Sequence, residues 1–228
     1  MKLFTLPNLM TCGNLLCGCV GITAAFRGDL LLSSMLIGLA AVLDFGDGFV
    51  ARWLKQQSEL GKQLDSLADV VTFGVLPACM VFQLIERSTD ELPHLPSYLA
   101  FVLAAFSALR LAKFNIDTRQ SDSFIGVPTP ANAILVASLP FILRHNPTFE
   151  PWIINETVLL VYVFVMSFLL VSELPLFALK FKSFGWRGNE LPFSFLAISL
   201  VLLVLLHFVA VPLIIALYIA LSLVFRKG

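Results

Sequence analysis

Long apolar stretches separated by short polar loops run along most of the chain. A transmembrane helix needs about 20 mainly apolar residues. Six stretches of this type precede residue 173, the fifth of them short: Leu9–Phe26, Leu30–Arg52, Lys62–Ile85, Ser97–Asn115, Ala131–Leu143 and Trp152–Val171. The pattern predicts an all-α polytopic membrane protein.

The last apolar run, Pro192–Phe225, is too long for one straight span. As a single helix it would extend roughly 51 Å, whereas the hydrocarbon core is about 30 Å thick. His207 and Pro212 mark a turn, so we expect two short spans in 192–226 and about eight transmembrane helices in all. One bent span is the alternative.

The composition agrees with the membrane class. The 228 residues are 58% hydrophobic and 13% charged, with a formal net charge of zero. A neutral chain offers no broad basic surface, so nucleic acid is not an expected partner. The cysteines lie in apolar runs at spacings unlike a zinc site, and the histidines lie near predicted span ends, so neither type is expected to bind metal.

The basic residues predict the orientation. Of the fifteen Lys and Arg residues, three fall on one side of the eight-span topology: Arg27, Arg87 and Arg144. The other twelve fall on the opposite side, which the positive-inside rule makes cytoplasmic. They include the basic residues of an amphipathic connector over 173–191, namely Lys180, Lys182 and Arg187. The absence of an organelle signal favours a prokaryotic cytoplasmic membrane.

The most informative stretch is Asp44–Asp69, which holds four aspartates within or beside apolar runs: Asp44, Asp47, Asp65 and Asp69. Spacings of three and four place each pair on one helical face. A polar segment, Arg52–Leu60, separates the pairs, so we expect a helix, a loop and a second helix with the acidic faces opposed.

Ionisable residues within a span are costly and indicate a functional site. Four opposed carboxylates without His or Cys are typical of a site for Mg²⁺ or Mn²⁺. Gly48 and Ala51 leave room beside it for a bulky group. A proton relay, a cation transporter or a purely structural role are the alternatives, and a membrane scaffold would have no use for the acids.

The spacing Asp44-x2-Asp47-Gly48-x2-Ala51-Arg52-x8-Gly61-x3-Asp65-x3-Asp69 resembles the signature of the CDP-alcohol phosphotransferases, matching at all eight fixed positions. The resemblance implies a six-helix catalytic core (1–172), two divalent ions held by the four aspartates, Asp69 as the general base, and a homodimer. It also implies binding of the CDP group by residues in or next to the first three spans: Asn8, Thr11, Gly48, Ala51, Arg52, Ser58 and Gly61.

A second element ends the fourth span. Arg110 and Lys113 are three residues apart and share a helical face. They are either cations at the membrane interface or a clamp that binds a carboxylate or phosphate. The stretch Arg110–Asn115 is similar to the RLARFN element of the phosphatidylserine synthases, and Ile125–Ala131 is similar to another segment of that subfamily.

The resemblance therefore implies transfer of the phosphatidyl group from CDP-diacylglycerol to L-serine, with release of CMP into the cytoplasm. Arg110, Lys113 and Asn115 are the candidate acceptor-binding residues. Glycerol 3-phosphate or an inositol phosphate is the alternative acceptor. Membrane lipids are expected to surround the protein.

Overall fold

The computed structural model describes residues 3–90, 94–117, 124–177 and 189–224. In these ranges the chain forms ten α-helices: α1 (Leu6–Phe26), α2 (Leu30–Trp53), α3 (Glu59–Asp69), α4 (Leu76–Glu86), α5 (Val102–Ile116), α6 (Thr129–His145), α7 (Glu150–Ile153), α8 (Glu156–Val171), α9 (Glu190–Leu206) and α10 (Ala210–Val224). The only strands in these ranges are two residues long, β1 (Phe124–Ile125) and β2 (Pro175–Leu176). The all-α prediction is confirmed.

The break between α1 and α2 follows from local sequence. Thr5 caps the start of α1, and Pro7 lies in its first turn, where its missing N–H costs nothing. Gly28 has a φ of +81°, a conformation that suits glycine, and ends the first span. Asp29 then caps α2, since its carboxylate accepts a hydrogen bond from the Leu32 N–H at 2.9 Å.

The third span is the centre of the fold. Helices α3 and α4 are joined by a π-helical segment, Val70–Val75, into one continuous helix of 28 residues. In its apolar stretch 72% of the residues are buried, compared with 39% or fewer in the other long helices. Phe73 and Met80 are completely buried there. Helices α1 and α5 pack against the π-helical segment, so the apolar part of this helix is surrounded mainly by protein.

The remaining core helices depart from the predicted spans at their ends. A 3₁₀ segment, Leu95–Phe101, leads into α5. The sixth predicted span is not one helix, because the chain bends by 68° between Pro147–Ile153 and α8. Asn155 restarts the helix by accepting a hydrogen bond from the Val158 N–H at 3.1 Å.

A short clamp joins the start of α6 to the end of α8. Strands β1 and β2 pair antiparallel, and the Val127 N–H donates to the Leu169 carbonyl at 3.0 Å. Gly126 has a φ of +74°, and a Cβ there would lie 2.5 Å from the Leu170 carbonyl oxygen. Only glycine fits without displacing the backbone at this crossing.

The last apolar run folds back on itself. His207 has a φ of +50° and begins a 3₁₀ turn, His207–Val209. The rings of Phe195 in α9 and Tyr218 in α10 are 5.6 Å apart, which requires the two helices to lie side by side and antiparallel. The turn predicted at His207 is therefore present.

Within the described ranges, five helical stretches are long and apolar enough to cross a membrane, the folded-back run Glu190–Val224 among them, or six if the bent pair is one span. The protein is thus an integral membrane protein, and the number of eight spans stays a prediction. Seven of the basic residues used for orientation lie outside the described residues, as does most of the predicted connector: Lys2, Arg119, Lys180, Lys182, Arg187, Arg226 and Lys227.

Candidate active site

The acidic stretch folds as the sequence predicts, as helix, loop and helix. Asp44 and Asp47 lie in the last part of α2, and Asp65 and Asp69 lie in α3. Ser58 sets the start of α3, because its hydroxyl accepts a hydrogen bond from the Gly61 N–H at 3.0 Å. The loop turns back sharply enough for the two acidic faces to meet.

Three of the aspartates converge. Asp44, Asp47 and Asp65 each present one carboxylate oxygen within 4.8 Å of the others. Asp65 Oδ1 is buried and has no hydrogen-bond partner in the described part of the chain. Carboxylates this close repel one another, and the repulsion is greater away from bulk water. The oxygen-only donor set and the unpartnered oxygen fit a hard divalent cation.

The fourth aspartate has a different environment. Asp69 lies outside the group of three, and its Oδ1 accepts a hydrogen bond from Asn14 Nδ2 at 3.1 Å. Asp69 is 7% exposed and Asn14 is completely buried. Asn14 was missed by the sequence reasoning, although its spacing of three from Thr11 could have revealed it.

Helix α1 also contacts the group of three. The Thr11 hydroxyl lies 2.5 Å from Asp47 Oδ2 and 3.0 Å from the Pro7 carbonyl, with one proton to donate. Asn8 donates through Nδ2 to the Leu3 carbonyl at 2.9 Å and is almost completely buried. The opening of the first span therefore lies directly against the acidic helices.

A cavity of about 650 Å³ opens beside the aspartates. A Cβ added at Gly48 would have no atom within 4 Å, so this glycine widens the cavity, whereas at Gly61 it would lie 3.2 Å from Ser58 Oγ. The lining includes Asp47, Asp65 and Lys62, and all seven residues predicted to hold a nucleotide: Asn8, Thr11, Gly48, Ala51, Arg52, Ser58 and Gly61. The structure thus brings that predicted set together around one space.

The predicted acceptor residues do not converge in the same way. Arg110 is 6% exposed; its Nη1 donates to Thr129 Oγ1 at 3.4 Å, and its guanidinium lies 5.6 Å from the centroid of the Phe114 ring. Its Nε is buried without a hydrogen-bond partner in the described residues, and the guanidinium is near enough to Asp69 for electrostatic attraction. Lys113 points elsewhere, since its Nζ pairs with Glu173 at 3.1 Å.

Asn115 connects two helices. Its carbonyl accepts a hydrogen bond from Lys62 Nζ at 3.0 Å, and its side-chain amide donates to Ser66 Oγ at 2.8 Å. These contacts tie the end of α5 to α3. Of the three predicted acceptor residues, Arg110 is the one whose side chain is both buried and close to an aspartate of the motif.

Further buried polar groups lie beyond Arg110. Asn132 is one turn after Thr129 in α6, and its Oδ1 accepts a hydrogen bond from the Tyr162 hydroxyl at 2.5 Å. The Asn132 Nδ2 is buried without a partner in the described residues. Asn132 and Tyr162 were not predicted as site residues, because single polar residues within apolar helices carry little signal by themselves.

The fold and the site define a class: a polytopic helical membrane protein with a carboxylate cluster beside a cavity large enough for a nucleotide. Residues 4–169 match the CDP-alcohol phosphatidyltransferase family, and the chain belongs to this family. The match covers the first seven helices and most of α8, and it includes every aspartate of the motif.

Curated relatives are similar over much of their length. A CDP-diacylglycerol–serine O-phosphatidyltransferase of Bacillus subtilis (strain 168) is 34% identical over 142 residues, which are 62% of this chain and 77% of the relative. A protein of the same name from Helicobacter pylori (strain 26695) is 34% identical over 189 residues, 81% of this chain and 76% of the relative. One from Methanocaldococcus jannaschii is 36% identical over 135 residues, 59% of this chain and 60% of the relative.

Proposed function

We propose that the protein transfers the phosphatidyl group of CDP-diacylglycerol to L-serine, giving phosphatidylserine and CMP. The observation that carries this proposal is the cavity, where Asp47 and Asp65 of the carboxylate cluster and all seven residues of the predicted nucleotide set line one space. Membership of the CDP-alcohol phosphatidyltransferase family supports the chemistry, and the names of the relatives support serine as the acceptor.

The donor binds with its nucleotide in the cavity and its acyl chains in the bilayer. Gly48 and Ala51 leave space for the cytidine, and Arg52 and Lys62 supply positive charge for the phosphates. Asn8, Thr11, Ser58 and Gly61 complete the nucleotide side. Because the long helices around the cavity expose apolar side chains, the lipid tails can remain among membrane lipids throughout the reaction.

The cation site is formed by Asp44, Asp47 and Asp65, with Asp69 adjacent to them. Two ions, Mg²⁺ or Mn²⁺, suit this oxygen-only set. When bound, they would neutralise charge on the pyrophosphate and on the departing CMP phosphate. The carboxylates fix where that positive charge lies, and Thr11 holds Asp47 in place through its hydroxyl.

The reaction is a displacement at the phosphorus that carries diacylglycerol. The serine hydroxyl oxygen forms the new P–O bond, and the bond from that phosphorus to the CMP phosphate oxygen breaks, with its electron pair leaving on CMP. Asp69 takes the hydroxyl proton. It is suited to this role because it lies outside the group of three and within electrostatic reach of Arg110.

Arg110 recognises the serine carboxylate. Its buried guanidinium retains an unpartnered Nε, and a charged group of this kind gains most from a charged ligand in a site shielded from water. The contacts of Lys113 with Glu173 and of Asn115 with Ser66 support a secondary role for both, shaping the end of α5 around the acceptor pocket.

The whole-protein arrangement is also part of the proposal. Residues 1–172 form the catalytic core, 173–191 a cytoplasmic connector, and 192–226 two additional short spans. The site faces the cytoplasm of a prokaryotic cell, where CDP-linked substrates and serine are available, and the protein is a homodimer. The antiparallel packing of α9 on α10 supports the two-span form of the C-terminal region.

A direct assay distinguishes the alternatives. Purified protein is incubated with CDP-diacylglycerol, Mg²⁺ or Mn²⁺, and one radiolabelled acceptor at a time: L-serine, glycerol 3-phosphate or an inositol phosphate. Release of CMP with labelled phosphatidylserine supports the proposal. Preference for a phosphate acceptor would reassign the substrate, and ion flux into liposomes without CMP release would instead support a cation transporter.

A further inference from the structure

One face of α1 contacts two aspartates of the acidic motif. Asn8, Thr11 and Asn14 are spaced three residues apart and are all buried. Thr11 contacts Asp47 at the end of α2, and Asn14 donates to Asp69 at the end of α3. The first helix therefore holds one carboxylate on each of the two motif helices.

Asn14 is fixed by its backbone as well as its side chain. Its carbonyl accepts a hydrogen bond from the Thr72 hydroxyl at 3.1 Å. Gly18, one turn further along α1, lies against the same threonine, and a Cβ at that position would be 2.4 Å from Thr72 Oγ1. Thr72 belongs to the π-helical segment that begins immediately after Asp69, so α1 is tied both to this aspartate and to the turn that follows it.

The orientation of the Asn14 amide follows from its partner. Nδ2 faces Asp69 Oδ1, whereas the Asn14 Oδ1 atom is buried without a partner in the described residues. The opposite orientation would place an amide oxygen against a carboxylate oxygen, which is repulsive. Asn14 therefore leaves one of its own polar atoms unsatisfied in order to donate to Asp69, an arrangement that a purely structural contact does not require.

We infer that Asn14 is a positioning residue for the proton-accepting carboxylate of Asp69. By holding Oδ1, it directs Oδ2 toward the acceptor hydroxyl, while the π-helical turn sets the direction of the Asp69 side chain. This inference rests on the proposed function, in which Asp69 takes the hydroxyl proton. The effect acts on the chemical step, because Asn14 does not line the nucleotide cavity.

The test compares three substitutions at Asn14. Asn14→Asp keeps the shape but replaces the donor by a second carboxylate, Asn14→Leu removes the donor and keeps the branched heavy-atom skeleton, and Asn14→Gln keeps the amide with one more methylene. Loss of alignment at a reacting group costs on the order of 10- to 100-fold in rate. We expect kcat to fall by that factor for Asn14→Asp and Asn14→Leu and by less for Asn14→Gln, while the KM for CDP-diacylglycerol stays near wild type.

A matched control separates positioning from simple helix packing. Ser33 of α2 is buried, and its hydroxyl donates a hydrogen bond to the Gly21 carbonyl of α1 at 2.9 Å. Gly21 lies about two turns further along α1 than Asn14. Ser33→Ala thus removes a buried contact between helices outside the site. Thermal unfolding in detergent is measured for every variant, and we expect Ser33→Ala to lower Tm without lowering kcat.

The outcomes are distinct. An inactive wild type would refute the proposed function itself. With an active wild type, a folded Asn14→Asp or Asn14→Leu protein that keeps its kcat would overturn the inference about Asn14. An equal loss of kcat in Ser33→Ala would also overturn it, because any contact of α1 would then have the same effect.

Discussion

The clustered aspartates can be tested one at a time, by substitutions that remove the negative charge and barely change the side-chain volume. Asp44, Asp47 and Asp65 converge within 4.8 Å, so each is expected to be needed for cation binding. Asparagine retains the shape but removes the charge. Because pre-organised charge stabilisation at a reacting centre contributes about 10²–10³ in rate, each Asp→Asn change should reduce CMP release by at least that order.

Asp29 provides the control for that prediction. It lies on the same helix as Asp44 but at the opposite end, where it caps α2. Asp29→Asn should leave CMP release close to wild type, since asparagine is also a good capping residue. Expression in the membrane fraction is compared for all four variants. Full turnover in any of the three cluster variants would refute the cation-site assignment.

A separate prediction concerns the role of Arg110 in binding the acceptor. A charge-assisted hydrogen bond contributes roughly 1.5–3 kcal/mol, which corresponds to about a 10- to 150-fold change in affinity. Arg110→Ala should raise the KM for serine by that factor and change the KM for CDP-diacylglycerol much less. Steady-state kinetics with each substrate varied in turn provide the measurement.

Lys113→Ala is the comparison, because the Lys113 side chain pairs with Glu173 instead of lying beside Arg110. Its effect on the serine KM should be far smaller. If Arg110→Ala instead lowers expression and leaves the serine KM unchanged, Arg110 is an interfacial residue and not part of the acceptor site. Preference of the wild type for glycerol 3-phosphate would assign the guanidinium to a phosphate acceptor.

At the level of elements, the crossing of the segment before α6 with the end of α8 depends on one glycine. Gly126 combines a φ of +74° with a Cβ position 2.5 Å from a backbone oxygen. Unfavourable backbone conformations cost about 1–3 kcal/mol for residues other than glycine, and the close contact adds to this cost. Gly126→Ala should therefore lower Tm in detergent.

Gly38→Ala is the matched control, since Gly38 lies in α2 and a Cβ there would meet no atom within 4 Å. Alanine is favoured over glycine within a helix by roughly 1 kcal/mol, so this change should leave Tm the same or raise it slightly. Equal Tm values for Gly126→Ala and Gly38→Ala would contradict the requirement for glycine at this crossing.

At the level of the whole molecule, orientation and cation dependence can be tested together. EDTA does not cross a sealed bilayer, and the proposed site faces the cytoplasm. In inverted membrane vesicles, external EDTA should abolish CMP release, and added Mg²⁺ or Mn²⁺ should restore it. In right-side-out vesicles loaded with substrates, external EDTA should have no effect. The reverse pattern would contradict the orientation, and activity in a fully chelated detergent sample would contradict the cation requirement.

The sequence by itself determined the helical membrane class, the first five spans to within a few residues, and most of the residues that line the cavity, although not Lys62. It could do so because apolar length predicts spans and because carboxylates are rare enough in spans that their spacing identifies a helix pair. Asn8, Thr11 and Gly48 were predicted from local motifs, and they meet because the turn at Gly28 packs α2 back along α1.

Only the tertiary structure decided which residues touch across the helices. The bond between Asn14 and Asp69 joins residues 55 positions apart, and the pairing of Lys113 with Glu173 spans 60. Spacing along one helix fixes the face on which a side chain lies, but the partner depends on how helices cross. That crossing is set by packing, by Gly18 against Thr72 and by the π-helical turn, none of which the hydrophobic pattern encodes.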